Sequence, residues 1–566
     1  MKRRNLLLPA VLITAVIVWY AYYHTCFTFL SLNDAMDYAS MGRNVARGDG
    51  FVSSYITPLG LANKEGLPHP DLWRAPLWPA VVGLFIKLLG ATDQTMAIAT
   101  GCFFIAGAVL VFLLARELFD DLVAFLSALI FIVSSQNLIN SVSGMTETIS
   151  IFMMVLTVYL IAASRWQNYW GDILAGAALG LFYLTRYNAL LFVPFLTVFL
   201  WYKRGAARTR GASGLWQNTG SRGLGVWDNI GGRGIGLWNK KAGGGFALWP
   251  VVRYLGAFAV VISPWLIRNY ILMGSPLFSL QKFEPAMFTA TYPAYSMYMT
   301  LIKINVVEFL RTHPIEIWAK VVSGWSEFLA GLSNPAATGV SPYLYWLFLI
   351  SLVLPFQYGS DDEQAGISQR GVRPLIVVCF IVQLAVLLVI HFIYRLFFTF
   401  MPFYIIFGVA ALVWLLKAAA ELLPVNKRNF VVLLAVLAAG LFITGNLPSW
   451  QPLEQAQMPI TGLRDSVKAV TNMSTREDLI ISNDGHLLAW YGDRYAAKLP
   501  LRVDMIPEME KLAPLRFIYL SSRISWNLPE ADDSWRKLFW SKPKEVYGFR
   551  QVMVFPDGSV IYRKGR

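Results

Sequence analysis

Residues 96–115 read MAIATGCFFIAGAVLVFLLA, an unbroken run without a charged side chain. A helix of about 20 residues rises roughly 30 Å, which matches the hydrocarbon core of a bilayer. Buried strands are much shorter, with apolar runs of about 4 to 8 residues. The run therefore predicts a transmembrane α-helix and sets the fold class of the chain.

Similar apolar runs recur along the chain and predict a polytopic α-helical membrane protein. The basic N-terminus leads into an apolar stretch that is long for a signal peptide and ends in Tyr20, Tyr22 and Tyr23, without a small-residue cleavage site. We interpret residues 5–23 as an uncleaved first helix, and expect about 11 or more transmembrane helices. The other predicted spans lie near residues 122–138, 147–163, 172–186, 187–202, 253–270, 341–357, 374–391, 397–416 and 429–446.

The composition agrees with a chain that exposes little surface to water. Of 566 residues, 56% are hydrophobic and only 14% are charged, with a mean hydropathy of +0.50. A soluble chain carries roughly 25% charged residues. The net charge of +14 lies largely in loops between apolar runs, which argues against nucleic-acid binding. Cys26, Cys102 and Cys379 lack metal-ligand spacing, so neither a disulfide framework nor a zinc site is expected.

The distribution of basic residues predicts the topology. Cytoplasmic loops of membrane proteins are enriched in Lys and Arg. Every predicted inner segment contains at least one of them, and an odd number of spans places the tail outside. These basic residues are Lys2, Arg3, Arg4, Arg116, Arg165, Lys203, Arg204, Arg208, Arg210, Arg370, Arg373, Lys417, Lys427 and Arg428.

The chain divides into a membrane domain, residues 1–450, and an extracytoplasmic α/β domain, residues 451–566. Short alternating or apolar segments of the tail predict strands at 478–482, 516–520, 551–555 and 559–563, with helices at 460–471 and 507–512. Gly485 and Gly492 do not form a phosphate loop, so no nucleotide is expected. The first outer loop, 25–95, and a second, 271–340, contain half-apolar pieces. Leu77 to Leu89 predicts a helix at the membrane interface.

One segment, 203–252, is an insert with an eleven-residue repeat. Trp216, Trp227, Trp238 and Trp249 mark the repeat in glycine-rich surroundings. Such a period can specify a right-handed coiled coil, but each interior glycine costs a helix about 1 kcal/mol. We interpret the segment as an expanded repeat in a cytoplasmic loop and assign it no function.

Charged side chains at the outer helix ends are the candidate site. Ionisable groups beside the bilayer are costly and often functional. Most of these residues also have a purely structural explanation. Asp34 and Asp37 could cap a helix, and Glu147 could be a negative charge that the dipole favours at a helix N-terminus. Arg186 could snorkel to head groups, and a helix-end histidine is often satisfied locally. The predicted topology nevertheless places all eight candidates at one membrane face: Asp34, Asp37, Arg74, Glu147, Arg186, Arg268, His391 and Arg395.

These residue types suit glycosyl transfer from a lipid phosphate. Arginine offers a charged planar fork for phosphate oxygens. A carboxylate can accept the proton of an acceptor hydroxyl as that hydroxyl attacks the anomeric carbon. With one base and no covalent sugar intermediate, the reaction would be inverting, and no metal or other cofactor is expected.

At these residues the chain resembles the GT-C superfamily of membrane glycosyltransferases, in the branch of protein O-mannosyltransferases and the lipid A aminoarabinose transferase. The resemblance covers about residues 5–450. The motifs that carry it are Asp34-Ala-Met-Asp-Tyr38, Asn44-Val-Ala-Arg-Gly-Asp-Gly-Phe51, Arg74-Ala-Pro-Leu-Trp-Pro79, Arg116-Glu-Leu-Phe119, Ser143-Gly-Met-Thr-Glu147, Leu184-Thr-Arg186, Ser263-Pro-Trp-Leu-Ile-Arg-Asn269, and Arg395 with Pro402.

The resemblance implies roles for individual residues. It makes Asp34 the catalytic base and Glu147 the second carboxylate of the site. Ala35 stands where many relatives have Glu, and Asp37 could supply that acid. The Trp-Trp-Asp signature of oligosaccharyltransferases is absent, which argues against that branch and its metal. The substrate-binding candidates are Asp37, Tyr38, Arg74, Arg186, Arg268, His391 and Arg395.

The expected partners are a polyprenyl-phosphate-linked sugar donor, an extracytoplasmic acceptor (lipid, glycan or protein) and membrane lipids. A transporter or flippase of a lipid-linked sugar is the alternative, although it should show internal repeats and mid-membrane charges. A membrane scaffold with an outer sensory domain is a third hypothesis, which leaves the charged set unexplained. The sequence favours a bacterial inner membrane, with the site on the periplasmic face.

Overall fold

Helices make up most of the chain in the computed structural model, which describes residues 6–216, 248–353, 363–422, 426–445, 450, 463–525 and 532–565. The first eleven are α1 Leu7–Cys26, α2 Asn33–Arg47, α3 Pro58–Asn63, α4 Leu77–Leu89, α5 Asp93–Leu118, α6 Asp121–Val133, α7 Ser135–Val142, α8 Glu147–Ala162, α9 Tyr169–Thr185, α10 Val193–Trp216 and α11 Leu248–Met273. The others that precede the tail are α12 Val306–Thr312, α13 Pro314–Gly331, α14 Pro335–Thr338, α15 Pro342–Val353, α16 Glu363–Ile390, α17 Met401–Glu421 and α18 Lys427–Thr444.

A helix lies at each predicted span, and five described helices are long and apolar enough to cross a membrane. They are Leu7–Cys26, Asp93–Leu118, Leu248–Met273, Gly371–Ile390 and Tyr394–Glu421. α6 and α7 together would form a sixth span, bent by 58°. The bend follows an extended Ser134, whose hydroxyl donates to the carbonyl oxygen of Gly339 at 2.6 Å. The larger predicted number of spans remains a prediction, because the other apolar helices are shorter.

Small residues allow the helices to approach closely. A Cβ at Gly176 of α9 would lie 2.0 Å from the carbonyl oxygen of Tyr254 in α11. A Cβ at Gly83 of α4 would lie 3.0 Å from the carbonyl oxygen of Gly42 in α2. Close approach of this kind is how membrane helices gain packing energy. The second contact fixes α2, which carries Asp34 and Asp37, against the predicted interfacial helix.

The tail forms a small α/β unit around a mixed sheet. Its sheet contains β1 Tyr55–Ile56, β2 Leu479–Ser482, β3 Tyr495–Lys498, β4 Leu515–Leu520, β5 Glu545–Val546, β6 Phe549–Val554 and β7 Val560–Lys564. The helices are α19 Leu463–Met473, α20 Gly485–Trp490, α21 Ile506–Leu512 and α22 Asp533–Ser541. The strand order is β1-β3-β2-β4-β7-β6-β5, with β1 to β4 parallel and β5 to β7 antiparallel. β2, β4, β6 and β7 lie where strands are predicted, whereas β1, β3 and β5 are additional.

The edge strand β1 belongs to the first outer loop rather than to the tail. Tyr55 pairs with Ala496, and the Ala496 amide donates to the carbonyl oxygen of Ser54 at 2.8 Å. The Leu501 amide similarly donates to Met299 of the second outer loop at 2.9 Å. The sheet is therefore completed by chain from the predicted membrane domain, and a boundary at residue 451 remains a prediction.

Three charged residues form what we call the inner clasp, near the starts of α9 and α11 and midway along α10. Asp172 accepts from Arg204 at 2.8 Å and from Arg253 at 2.6 Å. The other donors of Arg204 bind the carbonyl oxygens of Ile161 and Trp166. Arg204 lies at the start of the insert 203–252 and Arg253 directly follows it. Trp227 and Trp238 of the repeat lie outside the described residues.

Candidate active site

Two carboxylates on one face of α2 meet a single arginine. Asp34 and Asp37 are one turn apart, a spacing that aligns side chains on a helix. Arg74 donates from Nη2 to Oδ1 of Asp34 and from Nε to Oδ2 of Asp37, both at 2.8 Å. Arg74 and Asp37 are buried. Arg74 is 37 positions from Asp37 and 40 positions from Asp34 along the chain, so the sequence spacing could not reveal this pairing.

Arg74 is held in place by contacts along its whole length. Oδ2 of Asp71 accepts from its backbone N–H at 2.9 Å. Its guanidinium lies 4.5 Å from the ring centre of Trp73 and 4.9 Å from that of Tyr38. Its carbonyl oxygen accepts from the hydroxyl of Tyr187 at 2.9 Å. Arg74 is thus a fixed cation rather than a mobile one.

A second arginine reaches Asp34 from the other end of the chain. Nη2 of Arg395 donates to Oδ2 of Asp34 at 2.7 Å. Arg395 lies in the short 3-10 turn Tyr394–Phe400 that precedes α17. Its side chain is 41% exposed, compared with 9% for that of Arg74. Asp34 therefore binds one buried and one accessible guanidinium.

A second ion pair lies beside the first. Nη2 of Arg186 donates to Oε1 of Glu147 at 2.6 Å, and its Nε donates to the hydroxyl of Thr146 at 3.0 Å. Glu147 begins α8, and Arg186 follows the end of α9. Electrostatic interactions link Glu147 to Arg395 and Arg186 to Tyr38.

We call this set the outer cluster. It brings together seven of the nine predicted site residues: Asp34, Asp37, Tyr38, Arg74, Glu147, Arg186 and Arg395.

Ala35, where many relatives carry Glu, does not face the outer cluster. It is fully buried, and a Cβ added at Gly144 would lie 3.3 Å from the Ala35 side chain. Gly144 has φ of +74°, a conformation that suits glycine. A Glu at position 35 would collide with this loop. Asp37, like Asp34, does contact Arg74, and its replacement of the missing acid remains a prediction.

Several polar atoms of the outer cluster retain unused hydrogen-bonding capacity. Within the described part of the chain, Oδ1 of Asp37, Oε2 of Glu147 and Nη1 of Arg186 are buried without a hydrogen-bond partner. Buried polar atoms are satisfied in most folded proteins, because an unpaired one costs about 1–3 kcal/mol. These two acceptors and this charged donor have the chemistry to bind a hydroxylated, negatively charged ligand.

The carboxyl groups of this region differ in their affinity for protons. Burial alone would raise the pKa of Asp34, but the charges and hydrogen bonds of Arg74 and Arg395 outweigh burial and hold it well below its usual range. Burial raises the pKa of Asp37, which Arg74 offsets only in part. Burial also raises the pKa of Asp71 to about 7. Asp34 is therefore the carboxylate that stays ionised most firmly.

The remaining two predicted residues lie outside the outer cluster. Arg268 stacks over Trp265 at 4.3 Å and donates to Oδ1 of Asn269 at 3.1 Å. His391 stacks on Phe288 with ring centres 3.5 Å apart. Burial, followed by the charges of Lys320 and Arg395, lowers the pKa of His391 to about 4. His391 thus lies near Arg395, whereas Arg268 interacts with Asp71, the residue that holds the backbone of Arg74.

Sequence reasoning missed the residues that support the site. Asp71, Thr146 and Tyr187 each hold a cluster residue by a hydrogen bond. Trp265 in turn donates to the hydroxyl of Tyr187 at 2.9 Å. The only sequence feature that could have identified the first three is that they lie within three positions of Arg74, Glu147 or Arg186. Among the residues that the structure describes, no group of three or more His, Cys, Asp or Glu is placed to hold a metal ion.

One family profile matches part of the chain that carries the outer cluster. The family profile of dolichyl-phosphate-mannose-protein mannosyltransferases matches residues 69–216, which include Arg74, Glu147 and Arg186. No curated protein matches the chain significantly.

Solved structures show the fold. The oligosaccharyltransferase of Archaeoglobus fulgidus, in complex with zinc and sulfate, has a TM-score of 0.52 at 12% identity, covering 98% of this chain and 73% of its own. Its apo form gives a TM-score of 0.50 at 11% identity over 98% and 74% of the two chains. ArnT from Cupriavidus metallidurans, bound to undecaprenyl phosphate, has a TM-score of 0.48 at 14% identity over both full lengths.

Proposed function

We propose that this chain, a membrane protein with the GT-C glycosyltransferase fold, transfers a sugar from a polyprenyl-phosphate carrier to an extracytoplasmic acceptor with inversion at the anomeric carbon. The resemblance to the GT-C superfamily is confirmed by the family profile and by the fold. The observation that carries the proposal is Asp34 held between a buried and an accessible arginine. Both comparisons are to transferases, which favours this function over a transporter.

The donor phosphate would bind the accessible arginine. Arg395 has an exposed guanidinium and already binds an anion, the carboxylate of Asp34. A lipid phosphate offers more negative charge and several acceptor oxygens, so it can compete for this fork. Arg186, with Nη1 unpartnered, would supply a second contact. Donor binding would thereby release Oδ2 of Asp34 from one of its two partners.

The chemical step then needs one base and one stabilised leaving group. The acceptor oxygen forms a bond to the anomeric carbon while the bond from that carbon to the phosphate oxygen breaks. The bonding electrons leave with the phosphate, whose charge the arginines stabilise. The acceptor proton passes to Oδ2 of Asp34 and later to water. Loss of a positive neighbour raises the proton affinity of Asp34, so donor binding would itself prepare the base.

The other two carboxylates would orient the substrates. Asp37 keeps Arg74 charged and in place through the 2.8 Å hydrogen bond, and its free Oδ1 can accept from a hydroxyl. Glu147 uses Oε1 on Arg186 and leaves Oε2 for a sugar hydroxyl. As in the sequence prediction, we assign Arg268 and His391 to substrate binding, at or beside the lipid phosphate. A bacterial inner membrane with a periplasmic site remains our expectation.

The test is donor consumption by purified protein in lipid. Mannosyl, glucosyl and aminoarabinosyl phosphates of a bacterial polyprenol serve as donors, and release of free polyprenyl phosphate is the readout. Glu147→Gln should lower the rate at least 10-fold, because its neutral amide cannot balance the charge of Arg186. Glu327→Gln on α13, a residue outside the outer cluster, serves as the matched control and should retain the wild-type rate.

Two results would contradict the proposal. One is a wild-type protein that consumes no donor from the panel, or any other polyprenyl-phosphate sugar, in native membranes. The other is a product that keeps the anomeric configuration of the donor, which would require a covalent sugar intermediate rather than a single base.

A further inference from the structure

The tail is fastened to the helix that carries Asp34. α20 of the tail packs against α2. Near the end of α2, Nη1 of Arg43 donates to the carbonyl oxygen of Trp490 at 2.6 Å. Arg47 binds both carboxylate oxygens of Asp493 at 2.8 Å. Asp93, which begins α5, accepts from the indole of Trp490 at 2.6 Å. These contacts fix the tail in one position over the outer ends of the helices.

His486 of α20 lies on the side of the tail that faces the outer cluster. The last residues of α20 contact the later turns of α2, and His486 lies about one turn before Trp490 in α20. Its strongest interactions with charged groups are with Asp34, Arg74, Lys498 and Arg523. Of these, Lys498 ends β3 and Arg523 follows β4. His486 thus faces the two central charges of the cluster.

The His486 ring is held rigidly, yet its nitrogen atoms are unused. It stacks on Tyr55 of β1 with ring centres 3.5 Å apart and an angle of 27°. A Cβ at the preceding Gly485 would lie 2.9 Å from the same tyrosine ring, so the two elements are in close contact. Neither ring nitrogen makes a hydrogen bond to the residues that the structure describes. A fixed imidazole with free polar atoms can bind a ligand.

We propose that His486 binds the acceptor, holding its reacting hydroxyl beside Asp34. The inference rests on the proposed function and extends its site to the tail. The carrier chain of the donor lies in the bilayer, so its phosphate approaches from the membrane side, where Arg395 and Arg186 lie at helix ends. His486 belongs instead to the α/β tail, whose elements do not include the helix ends that carry Arg395 and Arg186. The substrate that reaches it is the hydroxyl-bearing end of the acceptor.

The protonation state of the ring suits this role. Burial, followed by the positive charges of Arg74, Lys498 and Arg523, lowers the pKa of His486 to about 3, although Asp34 opposes the shift. The imidazole is therefore neutral at pH 7, with one nitrogen that donates and one that accepts. The donating nitrogen can bind the oxygen of the acceptor hydroxyl and align it, which leaves the hydroxyl proton directed at Asp34. Asp34 then removes that proton, as in the proposed function.

The experiment measures how the donor sugar is divided between acceptor and water. Native membranes that contain the chain receive a radiolabelled polyprenyl-phosphate sugar, and label is followed into free sugar and into acceptor-bound product. His486→Ala should lower the product-to-hydrolysis ratio at least 10-fold, with hydrolysis within twofold of wild type. His486→Gln, which retains a hydrogen-bonding side chain, should recover part of the ratio. His313→Ala, a half-buried histidine between α12 and α13, is the matched control.

A second measurement does not depend on turnover. Diethyl pyrocarbonate acylates accessible neutral imidazole nitrogens, and mass spectrometry locates the adduct. His486 should react in the folded protein in lipid, despite its stacked ring.

The outcomes separate the two proposals. An unchanged product-to-hydrolysis ratio in His486→Ala, or an unreactive His486, overturns the acceptor role and leaves the glycosyltransferase intact. A wild-type chain that uses no donor overturns the proposed function itself, whatever the reactivity of His486. Loss of hydrolysis together with transfer in His486→Ala would assign the residue to the common machinery rather than to the acceptor.

Discussion

The outer cluster and the inner clasp are built from the same chemistry at opposite ends of α9. In each, one aspartate accepts hydrogen bonds from two arginines at 2.6–2.8 Å. Arg186 follows the end of the helix and Asp172 lies near its start, separated by about 21 Å of helical rise. Residue types and hydrogen-bond distances alone therefore do not distinguish a functional site from a structural ion pair.

What distinguishes the two is spare hydrogen-bonding capacity and access. The side chain of Asp172 is 1% exposed and that of Asp34 is 25% exposed. The other two nitrogen atoms of the Arg204 guanidinium donate to carbonyl oxygens, whereas Nη1 of Arg186 has no hydrogen-bond partner in the described chain. A saturated ion pair can only hold helices together. An accessible one with unsatisfied neighbours can exchange its partner for a ligand.

The largest expected effect is the loss of activity in Asp34→Asn. Removing a general base lowers the rate by about 10²–10⁴-fold. We expect a fall of about 10³-fold in kcat with little change in the unfolding midpoint, because Asp37 still balances the charge of Arg74 and Arg395 is accessible to water. Donor turnover and thermal unfolding in detergent are the measurements. A fall in both would make Asp34 a structural residue like Asp172.

The reverse pattern is expected for Asp172→Asn. Breaking a buried pair leaves the charge of Arg204 uncompensated and costs about 3 kcal/mol. The unfolding midpoint should fall markedly, while turnover per folded molecule stays within about twofold of wild type. Wild-type stability in this variant would show that the inner clasp does not fasten the helices.

A smaller effect, on pH dependence, is expected for Arg395→Gln. Arg395 and Arg74 both depress the pKa of Asp34, so removing Arg395 raises it. The acid limb of kcat/KM, which reports the free enzyme, should therefore move to higher pH, with a weaker apparent affinity for donor. Arg253→Gln, the accessible arginine of the inner clasp, is the matched control and should leave the limb in place. An unmoved limb in Arg395→Gln would exclude Asp34 as the titrating base.

The smallest effect is expected for replacing residues 217–247 with a short Gly-Ser linker. Arg204 and Arg253 remain, so Asp172 still holds both flanking helices, and loop length alone changes stability little. Turnover should stay within about twofold of wild type. A loss of activity with intact folding would place function in the repeat.

Much of the fold could be read from the sequence, because the bilayer imposes a length and a polarity on every span. Helices lie at each predicted span, and four of the seven strands lie where they are predicted. The missed strand β1 has only two residues, too few to produce an alternating pattern. The resemblance to the GT-C superfamily also rested on local motifs, which sequence preserves.

The membrane also explains why the site could be predicted in part. Charged residues at helix ends on one face share a thin layer, so Asp34, Glu147 and the arginines were expected to be neighbours. Their pairing could not be predicted, because it depends on rotations and approaches such as that of Gly83 on Gly42. His486 gave no signal, since a lone histidine in a soluble segment has no membrane constraint to mark it.

The sequence by itself determined that the chain belongs in a membrane and which loops carry positive charge, and it predicted which charged residues gather at one end of the helices. These follow from hydrophobic length and charge placement, which are properties of segments. Only the tertiary structure decided that Asp34 lies between Arg74 and Arg395, that Asp172 is saturated, and that the tail reaches the same site. Such facts depend on which polar atoms find hydrogen-bond partners and which do not, and this is decided only when segments distant in the sequence pack together.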